Sequence, residues 1–319
     1  MTDIEARIRA KLALPKNFRV TTHYADGATR IHEDDSQRAI RAAFEIKNHF
    51  SDTGFPGTVI QIANNKVAAE VDACSGATLN IGAGENWDDF VATTIERGWA
   101  GLETLSGIPG TVGAAPIQNI GAYGHEVSEF VMRVRTYDRQ AKALKTFTNE
   151  ECQFSYRDSV FKKNPGRYVV LEVQFNLRRG EMTTPITYAE LAAELGIEVG
   201  QKADVIKTRE AVLRIRGRKG MLLNPNDKDT FSAGSFFTNP IVPEHLIPEG
   251  APKFPQGDGT FKTSAAWLIE QSGICKGQKL NGAAISGKHV LAITNADNAK
   301  AADIAALAME VKDAVKMKY

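Results

Sequence analysis

The stretch GIPGTVGAAPIQNIGAYG occupies residues 107–124 and holds five glycines, no charged residue and one aromatic residue, Tyr123. Glycine lets a backbone approach a flat or anionic ligand because no Cβ intervenes, and successive free N–H groups form an anion-binding nest. Pro109 stiffens the segment, while Gln118 and Asn119 offer amide donors and acceptors. Composition alone leaves two interpretations open: a ligand-binding loop and a tightly packed turn between domains.

The whole sequence has the composition of a globular protein. Its 319 residues predict about two domains, with 43% apolar and 24% charged residues. The net charge of +1 indicates no general attraction to nucleic acid or anionic membranes. Three cysteines without a CxxC pair indicate reduced thiols rather than a zinc site or a disulfide framework. With no evident signal peptide or membrane span, we expect a cytoplasmic protein without a metal, nucleic-acid or membrane partner.

Apolar periodicity and capping residues predict the elements around this stretch. Helices are predicted over residues 2–14 and 35–50, and short alternating β-rich runs follow them. A further helix is predicted with Asn86 as its N-cap. The chain then continues as strands and later becomes α-rich, with a short helix capped by Thr263 and a long amphipathic helix at the end. This change in texture predicts a domain boundary near residues 180–187.

The common nucleotide-binding and hydrolase motifs are incomplete or absent in this sequence. The segment GAGENW lies between a predicted strand and a helix, as in a dinucleotide-binding fold, but Trp87 stands where the third glycine belongs. An indole at that position would block close packing of the helix on the sheet. The chain contains no GxxxxGK[ST], HExxH or GxSxG motif. These observations argue against a P-loop enzyme, a zinc protease and a serine hydrolase.

Several longer motifs, taken in order, resemble one family of flavoenzymes. They are GAGENWDDFV, GIPGTVGAAPIQNIGAYGHEVSEF, SYRDSVFK, RIRGRKGMLLNPND, SAGSFFTNP, SAAWLIEQSG and KHVLAITN, and the resemblance spans roughly residues 54–315. The sequence resembles the UDP-N-acetylenolpyruvoylglucosamine reductases, which make UDP-N-acetylmuramate for peptidoglycan. The resemblance implies an α+β fold with an FAD-binding domain of the vanillyl-alcohol-oxidase type over residues 1–183, whose subdomains cover about 1–58 and 59–183. A C-terminal α+β domain over residues 184–319 is expected to bind the UDP-sugar substrate.

The resemblance also implies the chemistry. In the family, NADPH reduces FAD, the flavin N5 gives hydride to C3 of the enolpyruvyl group, and a serine protonates C2. We therefore expect an NADPH-dependent flavin oxidoreductase that works as a cytoplasmic monomer on a small-molecule UDP-sugar. Its product would serve peptidoglycan synthesis and, through it, cell shape and cell division.

Site residues follow from their positions in the matching motifs. Ser235 in GSFF matches the proton donor, which needs a preorganised site because serine is a poor acid. Arg157 in SYRDS matches the arginine that stabilises the substrate carboxylate as negative charge develops, a role that suits a guanidinium fork. Tyr188, Lys219 and Asn239 match substrate contacts, and ITYAEL indicates the longer family form, in which a tyrosine loop closes over the substrate. The positions that match flavin contacts are Ile108, Pro109, Gly110, Thr111, Gly113, Gln118, Asn119, Ile120, Gly121 and Tyr123.

Two features depart from the family pattern. Residues 44–60 contain no GGGSN-type loop, whose N–H groups hold the FAD pyrophosphate, so we expect a shortened first flavin subdomain. The 319 residues also contain no PEV-like motif with the glutamate that works opposite the serine. Two alternatives therefore stay open. One is a flavin-poor, catalytically impaired homologue that binds a UDP-sugar. The other is a flavin oxidase or dehydrogenase of the same fold, against which GSFFTNP and GRKGM argue. His289 starts a predicted strand and is assigned no role.

Overall fold

A computed structural model of the chain describes residues 62–72, 76–295 and 297–319, together with the backbone of four short strands before them. The strands are β1 Arg19–His23, β2 Thr29–His32, β3 Ala39–Ile40, β4 Val59–Ile60, β5 Val67–Asp72, β6 Gly76–Gly82, β7 Trp99–Ala100, β8 Gly121–Ala122, β9 His125–Glu126, β10 Val131–Asp138, β11 Ala143–Thr148, β12 Tyr168–Arg179, β13 Ser232–Ser235, β14 Ile241–Pro243, β15 Lys253–Pro255, β16 Thr260–Thr263, β17 Lys279–Leu280, β18 Ala283–Ile285 and β19 Ala292–Thr294. The α-helices are α1 Trp87–Glu96, α2 Val160–Lys163, α3 Ala189–Leu195, α4 Val205–Arg218, α5 Ala265–Gln271 and α6 Ala301–Lys318.

The described residues form two compact units, which divide at Ile215 and Arg216. In the first unit an antiparallel sheet has the order β11-β10-β12-β6-β5, with β7 extending β12. Its core joins this sheet to α1 through aromatic rings: Phe90 lies 5.1 Å from Phe175 between centroids, and Trp87 lies 6.2 Å from Phe175. All three side chains are buried, so their apolar surface stabilises the packing of helix on sheet.

Helix α1 begins as its sequence predicts. The Asn86 side chain accepts hydrogen bonds from the N–H groups of Asp88 and Asp89 at 2.9 and 3.1 Å, which is N-cap geometry. Trp87, which disqualified the dinucleotide motif, is 1% exposed. Its indole N–H donates to the carbonyl of Leu105 at 2.9 Å, so its buried polar atom is satisfied. The indole therefore fills the space that a dinucleotide-binding fold leaves for close helix–strand contact.

The α-rich segment after the main sheet packs within the first unit. Tyr123 forms one buried apolar cluster with Ile186, Leu191 and Ile215, which lie in or beside α3 and α4. This packing places the division between compact units after the boundary predicted at residues 183 and 184. The predicted limits of the flavin and substrate domains themselves stay a prediction.

In the second unit the sheet β13-β19-β18-β17 packs with α5 and α6, and a separate sheet has the order β14-β16-β15. Leu307 and Val311 of α6 are buried, as the amphipathic pattern predicts. The prediction that Thr263 caps α5 is wrong. Ser264 caps it by accepting from the N–H of Trp267 at 3.2 Å, whereas Thr263 ends strand β16 and donates to the carbonyl of Pro252.

The first predicted helix, over residues 2–14, lies outside the described residues. Within the second, predicted over residues 35–50, only Ala39–Ile40 are described, and they form a strand that pairs in parallel with β1. At this point strand pairing prevails over the local helical pattern, as tertiary context often does.

Candidate active site

The glycine loop, residues 107–124, runs beside the segment that joins β6 to α1. The N–H of Val112 donates to the carbonyl of Glu85 at 2.9 Å, and the N–H of Gly113 donates to the carbonyl of Ala83 at 2.9 Å. The N–H of Gly107 donates to the Asp88 carboxylate at 2.6 Å. These bonds hold the loop in one conformation, because backbone N–H groups of the loop find their acceptors in the neighbouring segment.

Glycines of this loop differ in what surrounds them. A Cβ added to Gly113 would lie 2.5 Å from the Cβ of Ala83, and one added to Gly121 would lie 2.7 Å from the carbonyl oxygen of His125. Glycine is therefore required at both positions for the observed packing. At Gly110, with φ at +114°, an added Cβ meets no atom of the described chain within 4 Å. No side chain of the described residues therefore blocks the approach of a flat ligand to the backbone at Gly110.

The predicted flavin contacts fall into three groups by burial. Pro109, Gly110 and Gln118 are exposed. Gly113, Asn119 and Tyr123 are buried. Those of intermediate exposure are Ile108, Thr111, Ile120 and Gly121. The exposed group is available to a ligand, whereas the buried side chains shape the loop from behind.

Asn119 holds the loop together from inside the protein. Its φ of +45° lies in the left-handed region, which asparagine tolerates better than most residues. Its amide nitrogen donates to Glu126 at 2.7 Å and to the carbonyl of Ser155 at 3.1 Å, and its amide oxygen accepts from the N–H of Ser128 at 3.1 Å. With the side chain fully buried, these partners occupy the amide that the sequence assigned to the flavin.

Arg157 lies against the same loop. Its guanidinium donates to the carbonyl of Asn119 at 3.2 Å and to the carbonyl of Gly121. Its Nη1 also lies 3.5 Å from a carboxylate oxygen of Glu126. The structure thus brings the predicted catalytic arginine to the predicted flavin loop, although the residues are more than thirty positions apart. The arginine places a permanent positive charge beside the loop backbone.

Tyr188 and Tyr123 form an aromatic pair in the first unit. Their ring centroids are 5.4 Å apart in an edge-to-face arrangement. Tyr188 directly precedes α3 and is 41% exposed. Partial burial of the ring, followed by the negative charge of Glu190, raises the pKa of Tyr188, so its phenol is a neutral hydrogen-bond donor at physiological pH. This position suits a side chain that reaches a substrate.

Ser235 ends strand β13 in the second unit and is exposed. Its Oγ lies 3.2 Å from Nε2 of His289, a contact that joins residues 54 positions apart. The backbone beside it is held by the sheet, since the N–H of Phe236 donates to the carbonyl of Leu291 at 2.7 Å. Sequence reasoning missed His289, because no local pattern links a histidine before one strand to a serine at the end of another.

The other two predicted substrate contacts also lie in the second unit. Lys219 follows the end of α4 and directly precedes Gly220, where an added Cβ would lie 3.3 Å from Cδ of Lys288. Asn239 accepts at Oδ1 from the N–H of Ala265 at 2.9 Å. Its amide nitrogen is then the part of the side chain that can donate to a ligand.

The described residues contain no group of three or more histidine, cysteine or acidic side chains that could hold a metal ion. None of the helices in this part of the chain has the length and apolar character needed to span a membrane.

Comparison with known proteins matches both parts of the chain. Residues 36–146 match the family model for an FAD-binding domain, and residues 224–319 match that for the C-terminal domain of UDP-N-acetylenolpyruvoylglucosamine reductase. The chain is 53% identical over 271 residues to the UDP-N-acetylenolpyruvoylglucosamine reductase of Cutibacterium acnes. The aligned region covers 84% of this chain and 72% of that protein. The chain belongs to the UDP-N-acetylenolpyruvoylglucosamine reductase family.

Two further members of the family support this assignment. The Streptomyces coelicolor reductase is 47% identical, over 82% of this chain and 70% of its own length. The crystal structure of the Thermus caldophilus reductase is 26% identical, with a TM-score of 0.51, over 73% of this chain and 68% of that one. The fold class predicted from the motifs, an FAD-binding fold of the vanillyl-alcohol-oxidase type with a C-terminal α+β substrate-binding domain, is confirmed.

Proposed function

We propose that this protein reduces UDP-N-acetylenolpyruvoylglucosamine to UDP-N-acetylmuramate with NADPH in an FAD-dependent reaction of peptidoglycan synthesis. The observation that carries the proposal is the 53% identity to a reductase of that name over most of the chain. The matched FAD-binding segment contains the whole glycine loop, and the matched C-terminal segment contains Ser235 and Asn239.

The glycine loop fits a flavin. The described residues leave the backbone at Gly110 accessible to a flat ring, and Pro109 and Gln118 are exposed on the same loop. We assign direct contact with FAD to Ile108, Pro109, Gly110, Thr111 and Gln118. The remaining candidates, Gly113, Asn119, Ile120, Gly121 and Tyr123, set the shape of that surface through close packing and hydrogen bonds.

Each candidate side chain has a chemical task consistent with its surroundings. The chemistry that bound FAD supplies is hydride transfer from NADPH to C3 of the enolpyruvyl group. Ser235 donates its hydroxyl proton to C2. Arg157 stabilises the negative charge that develops on the substrate carboxylate, since its guanidinium is already oriented by two loop carbonyls. Tyr188, Lys219 and Asn239 bind the UDP-sugar through a neutral phenol, an ammonium and an amide.

We further propose that the protein works as a cytoplasmic monomer. The UDP-sugar and NADPH are polar nucleotides, which are present in the cytoplasm. Through peptidoglycan synthesis the reaction would contribute to cell shape and cell division.

An absorbance spectrum of the purified protein, with and without added FAD, tests cofactor binding first. Flavin-loaded protein is then mixed with NADPH and the enolpyruvyl substrate, and NADPH loss is followed by absorbance. We expect flavin bands and NADPH oxidation that requires the enolpyruvyl group, with UDP-N-acetylglucosamine as the inactive control substrate. Flavin-loaded protein without such turnover would refute the proposed reaction. A colourless protein that refuses FAD but binds the UDP-sugar by calorimetry would instead be the flavin-poor homologue.

Ser235→Ala separates the two half-reactions. We expect NADPH to bleach the flavin of this variant at the wild-type rate, whereas the substrate reoxidises it about 100-fold to 10,000-fold more slowly, the range typical of a lost general acid. Ser272→Ala is the matched control. Ser272 lies just after α5, where its hydroxyl donates to the carbonyl of Leu268, and its loss is expected to leave both half-reactions unchanged.

A further inference from the structure

His289 and Ser235 meet across a strand pair of the second unit. Strand β13 runs antiparallel to β19, and Ser235 is opposite Ala292. His289 lies three residues before that partner, in the turn that leads into β19. This places its imidazole Nε2 3.2 Å from Ser235 Oγ, within the range of a hydrogen bond.

The turn that carries His289 is held by buried and half-buried polar groups. The Asp229 carboxylate accepts from the Ser286 hydroxyl and from the N–H of Gly287, both at 2.8 Å. Ser286 Oγ in turn accepts from the N–H groups of Lys288 and His289, both at 3.1 Å. The Ser286 hydroxyl therefore links the backbone of His289 to the Asp229 carboxylate and holds the turn in place. The imidazole consequently needs little reorganisation to meet Ser235.

Charged groups also surround this turn. Lys288 pairs with Asp227, and this hydrogen bond lowers the pKa of Asp227 and raises that of Lys288. Asp229 lies on the 3₁₀ turn that includes residues 228–230. The backbone at Gly220 approaches Lys288 and Asp229 and brings the Lys219 position to the same region. Among the described residues, the charged groups on this turn and on the segments packed against it thus include Asp227, Asp229, Lys288 and Lys219.

Serine requires help to act as an acid. A hydrogen bond donated to its oxygen stabilises the alkoxide that forms when the proton leaves, and a charged donor does so most strongly. Histidine is the side chain best able to supply such a proton near neutral pH.

We propose that His289 is a positioning residue for Ser235, which it orients through Nε2 and reprotonates after proton transfer; this inference rests on the proposed reductase reaction. As the C2–H bond forms, the Oγ–H bond of Ser235 breaks and its electron pair stays on Oγ. The Nε2–H bond of the imidazolium then breaks, and its proton restores the hydroxyl. The neutral imidazole takes one proton from water. The hydride added at C3 and the proton added at C2 complete the reduction of the double bond.

Two substitutions separate orientation from proton return. His289→Ala removes both, so we expect flavin reoxidation by the substrate to slow about 100-fold, while flavin reduction by NADPH keeps its wild-type rate. His289→Gln keeps an N–H donor but cannot titrate, so we expect a smaller loss. His245→Gln is the matched control, because His245 is an exposed histidine on a different turn of the same unit. We expect that variant to behave as wild type.

The pH profile of reoxidation provides a readout that a structural role would not change. In the wild type the rate depends on the protonated imidazole, so it falls as the pH rises through the range in which the imidazole loses its proton. In His289→Gln this descent is expected to disappear. Wild-type rates in His289→Ala, or the same descent in His289→Gln, would overturn the inference.

A measurement without flavin tests the contact itself. NMR titration of the histidine rings in the flavin-free full chain is compared with that of Ser235→Ala. We expect the His289 titration midpoint to move and that of His245 to stay. An unchanged His289 midpoint would refute the pairing. This readout does not require turnover, so failure of the proposed reaction and failure of the inference remain distinguishable.

Discussion

Replacing Asn119 by alanine tests whether this residue stabilises the glycine loop or binds the cofactor. The substitution removes three hydrogen bonds of this buried side chain, to Glu126, Ser155 and Ser128. Two of these bonds are to neutral backbone groups, each worth about 1 kcal/mol, and the third, to a carboxylate, is worth about 2 kcal/mol. Alanine at a φ of +45° adds about 1 kcal/mol of strain. Together these contributions amount to about 5 kcal/mol. Arg157 still faces the Glu126 carboxylate after the substitution and offsets part of its lost hydrogen bond. We therefore expect the free energy of unfolding to fall by about 3–5 kcal/mol.

The assay is urea unfolding of the flavin-free protein, followed by circular dichroism and tryptophan fluorescence. Asn119→Gly lacks the same hydrogen bonds, but glycine adopts this φ without strain. It should therefore be about 1 kcal/mol more stable than Asn119→Ala. The neighbouring Gln118→Ala is the matched control. Gln118 is exposed, so its loss should change the free energy of unfolding by no more than about 0.5 kcal/mol.

Titration with FAD then completes the comparison. Gln118→Ala should weaken FAD binding by roughly tenfold, as expected for one lost hydrogen bond. If flavin-free Asn119→Ala is as stable as wild type and only its FAD affinity falls, the structural role assigned to Asn119 is wrong.

Further predictions concern packing, acid stability and thiol reactivity. Gly113→Ala should destabilise the protein by about 1–3 kcal/mol because its Cβ would overlap Ala83. Gly217→Ala in α4, where an added Cβ would be in ordinary contact with Leu222 at 3.9 Å, should stabilise it by about 0.5–1 kcal/mol in urea unfolding. Hydrogen bonds from Arg167 lower the pKa of Asp138 to about 2 from 3.8; this stabilisation is present above the ordinary pKa and is lost as the pH falls through about 2. The urea midpoint of Asp138→Asn should therefore vary less with pH across that interval, and a pH dependence equal to wild type would contradict the assignment. Burial raises the pKa of Cys152 to about 12, while Cys275 is exposed, so iodoacetamide followed by peptide mass mapping should find Cys275 alkylated and Cys152 protected in the native protein.

Features encoded within a short segment could be predicted from the sequence. The N-cap at Asn86 and the amphipathic face of α6 follow from neighbouring residues, and both are confirmed. The motif at residues 107–124 indicated the family and its fold through its resemblance to family members, since its glycines permit close backbone approach and its prolines fix φ within one short segment. Even the exclusion of a dinucleotide-binding fold rested on one side chain, Trp87, whose size is a property of the sequence alone.

Contacts between distant residues could not be predicted in the same way. Nothing near Asn119 indicates that its amide is occupied by Glu126 and Ser155, and nothing near Ser235 indicates His289. Such pairs depend on how strands and loops are brought together, which no local periodicity records. The strand at Ala39–Ile40 shows the same limit, since pairing with β1 replaced a helical pattern.

The sequence by itself determined the family and the residue types from which the chemistry is proposed: a glycine loop, an arginine and a serine in family motifs, and an N-cap such as Asn86 that begins a helix locally. Only the tertiary structure decided how these groups are used. It buried Asn119, joined Arg157 to the loop carbonyls, and placed His289 on Ser235. The physical reason is that residue type and short-range spacing are written along the chain. Burial and hydrogen-bond partners, by contrast, arise when segments far apart in sequence pack together.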